Sequence, residues 1–295
     1  MPIRPSRWFF LVSATVLLLV GSLSGNPPFS PLPMAAAGNT TGAEEVQYGS
    51  GTADPLWQKA VALAARNAGW IPGLAVQRVE DMDGDWQVKG VEEYWIRISP
   101  DSSGGLDHEL IKAIKDGKDR TEKERKKAAE EERKADERQR KEEEKRRREA
   151  EKRGEIYVPP EEQKRYEIFG GPLPFDPEIQ DSVSVRRVTA TDPPPGPPSI
   201  AFEFTQPLSR ERSLRGIAWL DAETGAPIEG RFAPAPLPGR VKEMEMRMRF
   251  TTTPDGAWYP TELFIRAMGK FLFFKKRVQS TLTLSDYWWK EDDDG

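Results

Sequence analysis

His108 is the only histidine in this 295-residue chain, and it stands between Asp107 and Glu109 in a polar stretch where solvation explains it. A Ser-His-Asp mechanism would have to use this one imidazole, and no nucleophile elbow accompanies it. The chain has no phosphate loop, no dinucleotide fingerprint and no HExxH pair. It also has no cysteine, which removes disulfides, thiolate zinc sites, cysteine nucleophiles and the lipid-bearing cysteine of a bacterial lipoprotein. Carboxylates are plentiful, but their spacing selects no pair of the kind glycoside hydrolysis needs. Asp81, Asp83 and Asp85, with Glu92 at the twelfth position, have the spacing of a calcium loop. The sixth position of such a loop requires glycine for a sharp bend and here holds Trp86, so a hairpin turn is the better reading. No catalytic residue, metal site or cofactor is therefore assigned, and the protein is expected not to be an enzyme.

The chemistry left to this chain is that of apolar surface. Met244, Met246, Met248 and Phe250 alternate with Glu243, Glu245, Arg247 and Arg249. Period two is the strand period, so the four apolar side chains point to one side. Methionine is unusual on a strand face, where β-branched and aromatic residues fit better. Its flexibility suits a variable apolar partner. Phe202, Phe204, Trp219, Met244, Met246, Met248, Phe250, Leu263, Ile265, Leu282 and Leu284 are the candidate lining of a lipid-binding face; from pattern alone a packed core is the favoured reading of the same residues. Arg247, Arg249, Lys275, Lys276 and Arg277 are candidates for headgroup contacts, although solvated strand faces explain them as well.

The ends and the charge balance bound the setting. Arg4 and Arg7 precede an apolar run from Phe9 to Val20, too short to span a bilayer comfortably, in the pattern of a secretory signal peptide. Cleavage near Ser22-Leu23-Ser24 or Ala35-Ala36-Ala37 would release the protein to the periplasm or beyond; an uncleaved segment would anchor it. Lys and Arg number 44 against 48 Asp and Glu, for a net charge of -4, which argues against nucleic acid as a partner.

Along the chain, Asn26 to Thr52 is a flexible leader rich in small residues and proline. Asp54-Pro55 then opens a helix that Gly69 ends, with Leu56, Ala60, Leu63, Ala64 and Ala68 as its apolar stripe. Leu74 to Val79 and Trp86 to Ile98 read as strands across the Asp83-Gly84 turn. Leu106 to Lys115 is expected to be helical, from Leu106, Leu110, Ile111 and Ile114. Thr121 to Arg153 carries acid-to-base pairs four residues apart, such as Glu130–Lys134 and Glu137–Lys141, without a coiled-coil seam, and predicts a solvated helix of about 50 Å. Tyr157 to Pro177 is a proline- and glycine-broken connector. Strands follow at Val183–Thr189, Ile200–Thr205, Gly216–Asp221, Lys242–Thr251, Trp258–Arg266, Lys270–Gln279 and Ser280–Trp288, with Pro227 to Arg231 leading away from the sheet.

The fold class expected is α+β: a curved antiparallel sheet, a half-open barrel, covered by helices and carrying the long charged helix as an insertion. The corresponding segments are 1–37 (signal peptide and start of the leader), 38–53 (disordered linker), 54–118 (N-terminal helix and strands), 119–154 (charged helix), 155–290 (C-terminal sheet) and 291–295 (acidic tail).

Three motifs carry a resemblance. Trp219-Leu-Asp-Ala-Glu-Thr-Gly-Ala-Pro-Ile228, Asp255-Gly-Ala-Trp-Tyr-Pro260 and Thr281-Leu-Thr-Leu-Ser-Asp-Tyr287 resemble, in order and spacing, the turns and late strand of outer-membrane lipoprotein carrier and sorting proteins (the LolA/LolB-like group). The likeness covers mainly Ile200–Trp288 and more loosely Pro55–Ser99. It implies a half-open barrel that holds acyl chains against its concave face under a helical lid, with lipid or an acylated lipoprotein as partner. The charged helix departs from that plan, and no arginine gripping a lid can be assigned. The alternative is an envelope-stress sensor or adaptor on the same fold, acting through a protein partner.

Overall fold

The computed structural model describes residues 54–67, 69–100, 106–153, 173–190, 192–208, 211–253, 256–271 and 274–289. The expected signal segment, leader and linker, most of the expected connector and the acidic tail lie outside these residues. In chain order the elements are α1 (Pro55–Asn67), β1 (Trp70–Ile71), β2 (Leu74–Met82), β3 (Val88–Pro100), β4 (Leu106–Lys115), β5 (Lys118–Asp119) and α2 (Thr121–Arg153). They continue with a 3-10 turn (Pro177–Ser182), β6 (Ser184–Val188), β7 (Ser199–Pro207), β8 (Ser213–Asp221), β9 (Pro227–Ala235), β10 (Val241–Thr252), β11 (Trp258–Phe271), β12 (Phe274–Ser285) and β13 (Trp288–Trp289).

Eleven strands form one antiparallel sheet in the order β5-β4-β3-β2-β12-β11-β10-β9-β8-β7-β6. Every neighbour is also a neighbour in sequence except β2 and β12. Two meanders, one before the charged helix and one after it, are thus joined by the single ladder from Leu74↔Ser285 to Met82↔Arg277. β1 and β13 form a separate two-stranded ribbon beside the start of β11, where Trp70 meets Trp289 edge-on at 5.7 Å and Tyr259 stacks on Tyr287 at 4.0 Å.

The segment Leu106–Lys115, expected as a helix, is strand β4. Leu106, Leu110 and Ile114 recur every four residues, which suits a helix, but Leu106, His108 and Leu110 alternate as a strand does, and after a bulge at Ile111 the buried residue is Ala113 rather than Ile114. Its burial alternates over Leu106 to Leu110, and β3 supplies the partner backbone from Glu92↔Lys115 to Pro100↔Leu106. A hairpin at Asp116-Gly117, both with positive φ, then leads to β5. Two further expectations change. Pro227 to Arg231 does not leave the sheet but begins β9, paired to β8 and β10. The three late strands are two longer ones, β11 and β12, with Phe271 opposite Phe274 at their hairpin.

α2 begins as the charge pattern predicts, with Asp119 Oδ1 accepting from the Thr121 N–H at 2.8 Å. Its side chains carry ion pairs four apart, including Lys134–Glu130 at 2.6 Å, Lys141–Glu137 at 2.7 Å and Arg148–Glu144 at 2.5 Å. Exposed pairs of this kind stabilise a helix by about 0.2–0.5 kcal/mol each. The first turns also close the edge of β4: Arg125 Nε donates to the Leu110 carbonyl at 2.9 Å and Thr121 Oγ1 accepts from the Ala113 N–H at 3.0 Å.

His108 is the other correction. Solvation does not explain it, because it is 9% exposed and lies on the same face of β4 as Leu106 and Leu110. Burial pulls its pKa down to about 4, against the opposing pull of Asp107. The unfolded chain therefore takes up this proton first as the pH falls. Stability from the neutral imidazole is complete above about pH 6.5 and drains away between there and about pH 4. Denaturant titrations at pH 7 and pH 4 should show the wild type losing up to about 3 kcal/mol more than His108→Gln. Equal losses would mean that this imidazole is not protected.

Candidate functional site

The strand registers sort the candidate face residue by residue. Phe202 lies opposite Ala218, Ala218 opposite Gly230, Gly230 opposite Met248, Met248 opposite Leu263 and Leu263 opposite Leu282. One face therefore carries Phe202, Phe204, Met244, Met246, Met248, Leu263, Ile265, Leu282 and Leu284 together. It continues through Ala75 and Ile96 to Leu110. Buried members of this row belong to a single core cluster, with Met244, Met246 and Phe250 partly buried against it.

Trp219 does not belong to this set. It lies opposite Ala201 and Glu229, on the other face, where Arg231 covers its ring at 4.7 Å. That outer face is held by an ion network around Glu229, which is 2% exposed. Arg231 Nε donates to it at 2.6 Å and Arg249 Nε at 3.2 Å. Arg231 also reaches Asp192 at 2.6 Å, and Glu262 takes Arg249 at 3.5 Å and Arg247 at 3.8 Å. Arg247 and Arg249, candidates for lipid headgroups, are thus engaged with carboxylates of the sheet itself. Arg277 is engaged too, with its guanidinium 5.6 Å from the Trp86 ring, whose nearer cation is Arg266 at 3.8 Å.

Two aromatic residues outside the sheet decide how the apolar face is filled. Trp57, fully buried on α1, lies 5.8 Å from Phe202, 6.3 Å from Phe204 and 4.8 Å from Phe175, and its indole N–H donates to Gln180 at 3.0 Å. Phe175 continues the cluster to Phe250 at 6.2 Å and Trp258 at 6.0 Å. Neither Trp57 nor Phe175 stands among the candidates read from strand alternation, because both come from elements that dock onto the sheet. Trp57 sits next to Leu56 in the helical stripe, which was the available signal for it. Farther along β10, beyond Met248, Met246 and Met244 remain half-buried.

Local chemistry explains why α1 sits there. Asp54 Oδ1 accepts from the Leu56 N–H at 2.8 Å and caps the helix, while its other oxygen meets Arg187 of β6 at 2.9 Å. The helix start rests on the turn after β8. Asp221 Oδ1 accepts from the Glu223 and Thr224 N–H groups at 3.0 and 2.7 Å, and Gly225 turns with φ of 76°. A Cβ at Gly225 would lie 2.8 Å from Lys59 Cβ, so glycine serves both the left-handed turn and the close approach of the helix.

No family model and no curated protein matches the chain. Among solved structures, a candidate outer membrane lipoprotein-sorting protein domain from Vibrio parahaemolyticus aligns at 11% identity and a TM-score of 0.32, over 81% of this chain and 96% of its own. The Pseudomonas aeruginosa MucA/MucB complex aligns at 8% identity and a TM-score of 0.21, over 80% and 99%. A further structure of MucB with MucA(peri) aligns at 8% identity and 0.19, over 80% and 98%. TM-scores of this size establish neither a shared fold nor a shared function.

Trp57 holds α1 to the sheet, so its truncation tests this packing directly. Trp57→Ala should cost about 3–5 kcal/mol in urea unfolding. Trp57→Phe, which keeps the aromatic volume but drops the bond to Gln180, should cost less than half of that. Similar stabilities for the wild type and Trp57→Ala would mean that α1 does not seal this end of the face.

Proposed function

We propose that the protein is exported to the bacterial envelope and binds lipid or lipoprotein acyl chains, without catalysing a reaction, on the apolar face of its sheet. One observation carries the reading. A single apolar face is packed shut by Trp57 and Phe175 around Phe202, Phe204 and Phe250, yet stays half-buried at Met244 and Met246. Flexible thioethers at the unsealed part of a face suit chains of varied length and shape. Binding there would draw on apolar area at about 25 cal/mol per Å² removed from water. The turn and strand motifs that resemble lipoprotein carriers point the same way, and the basic, short apolar N-terminus supports export.

A second reading, an adaptor that signals through a protein partner, is favoured by one feature. α2 extends 33 residues with exposed charges of both signs, and its first turns meet the sheet at β4. Such an arm offers length and charge to a partner but no apolar seam of its own.

Native mass spectrometry of detergent-free protein, with lipid extraction of the same sample, separates the two. The carrier reading expects a co-purifying acyl ligand that Met246→Asp abolishes while circular dichroism stays native. A ligand-free mass that also takes up no added lipid or acylated peptide would sink it and leave the adaptor.

A further inference from the structure

On the inner face the apolar rows run into polar groups. Met246 lies opposite Ile265, Ile265 opposite Ser280, Ser280 opposite Val79, Val79 opposite Glu92 and Glu92 opposite Lys115. The neighbouring row leads from Met248 through Leu263 and Leu282 to Gln77 and Tyr94. At ~4.8 Å per strand, Ser280 stands about 10 Å from Met246 and Glu92 about 19 Å. A half-buried thioether and a half-buried carboxylate thus bound one band of this face.

Each polar group along the band offers a different bond. Ser280, buried, accepts from Gln77 Nε2 at 3.2 Å, and no described residue takes its own hydroxyl proton. A buried donor calls for an acceptor. Glu92 accepts from Lys115 Nζ at 2.5 Å and from the Tyr94 hydroxyl at 2.8 Å. Burial opposes its charge, but Lys115, Tyr94 and, at longer range, Lys276 hold its carboxyl below the usual carboxylate range. Lys276 also lies 3.9 Å from Asp81. That is too far for a hydrogen bond, so these two exposed groups keep bonding positions for a third partner. Glu124, in the first turn of α2, adds negative charge near Tyr94 and Lys115.

We propose, resting on the acyl-binding reading of the same face, that its ligand is a zwitterionic diacyl phospholipid. Asp81 meets the ammonium group, Lys276 the phosphate and the Ser280 hydroxyl an ester carbonyl, while a chain crosses Ile265 and Met246. Charge selects this head. Asp81, Glu92 and Glu124 repel a purely anionic one, and Lys115 and Lys276 repel a purely cationic one. Length agrees with the placement. From Ser280 the row passes Ile265 and Met246 to Phe232, three strand steps or about 14 Å, and an acyl chain fills half of a hydrocarbon core about 30 Å thick.

The test offers detergent-free protein mixed vesicles holding equal amounts of phosphatidylethanolamine and phosphatidylglycerol with the same acyl chains. Vesicles are then removed and bound lipid is counted by native mass spectrometry. Phosphatidylethanolamine should be recovered several-fold over phosphatidylglycerol. Asp81→Asn, at an exposed position, should shift recovery toward phosphatidylglycerol. Ser280→Ala should weaken binding of the diester lipid several-fold and leave its diether analogue, which has no carbonyl, unchanged. Circular dichroism should stay native in both variants. Equal recovery of the two lipids by the wild type, with Met246→Asp abolishing both, would overturn the head assignment and leave acyl binding standing. No bound lipid of either kind would overturn both readings. An unchanged preference in Asp81→Asn, or equal losses of diester and diether lipid in Ser280→Ala, would remove the contacts on which the head assignment stands.

Discussion

The structure depends on one long-range ladder. Leu74–Met82 of β2 pairs with Arg277–Ser285 of β12 across some two hundred residues of sequence, and every other join in the large sheet is between sequence neighbours. Without it there are two separate meanders, each with one more open edge and half an apolar face. With it, the row from Phe202 to Leu110 is continuous, and the charged helix becomes an excursion between two parts of one sheet. Loop closure over such a span costs entropy before any contact repays it, so this ladder is the slow and cooperative step expected of the fold. Gln77, buried in β2, donates to Ser280 of β12 at 3.2 Å and adds a polar register mark to a mostly apolar surface.

The two faces of the sheet solve different problems. On the inner face, apolar area is removed from water by α1 and Phe175 at one end and left half-buried at Met244 and Met246. On the outer face, Glu229 is buried only because Arg231 and Arg249 accompany it, and breaking such a set leaves an uncompensated charge. Trp219 shows how the faces differ. One register position moves it from a prospective ligand surface to a lid-like contact with Arg231.

The edges are handled with equal economy. β6 is five residues long and carries Arg186 and Arg187, the latter tied to the cap of α1. β5 is two residues long, and the first turns of α2 occupy the β4 backbone beside it. Charged or covered edges discourage pairing with other chains.

Sequence by itself determined whatever depends on local periodicity and charge. The alternation of Met244 to Phe250 specifies a strand, the Asp54-Pro55 start specifies a capped helix, and the paired charges of Thr121–Arg153 specify a solvated helix. The nine candidate residues that share the inner face with certainty of register, together with Phe250, were legible for the same reason. Tertiary structure alone decided the rest. Leu106–Lys115 satisfies both a helical and a strand spacing, and only the waiting edge of β3 selects the strand. Trp219 alternates correctly within its own strand, but which face is inner depends on partners outside it. His108 looks solvated among Asp107 and Glu109, because a linear sequence shows neighbours along the chain and not those across the sheet. Trp57 and Phe175 close the face from elements distant in sequence, and the side on which an apolar surface is sealed is a property of packing that no local pattern encodes.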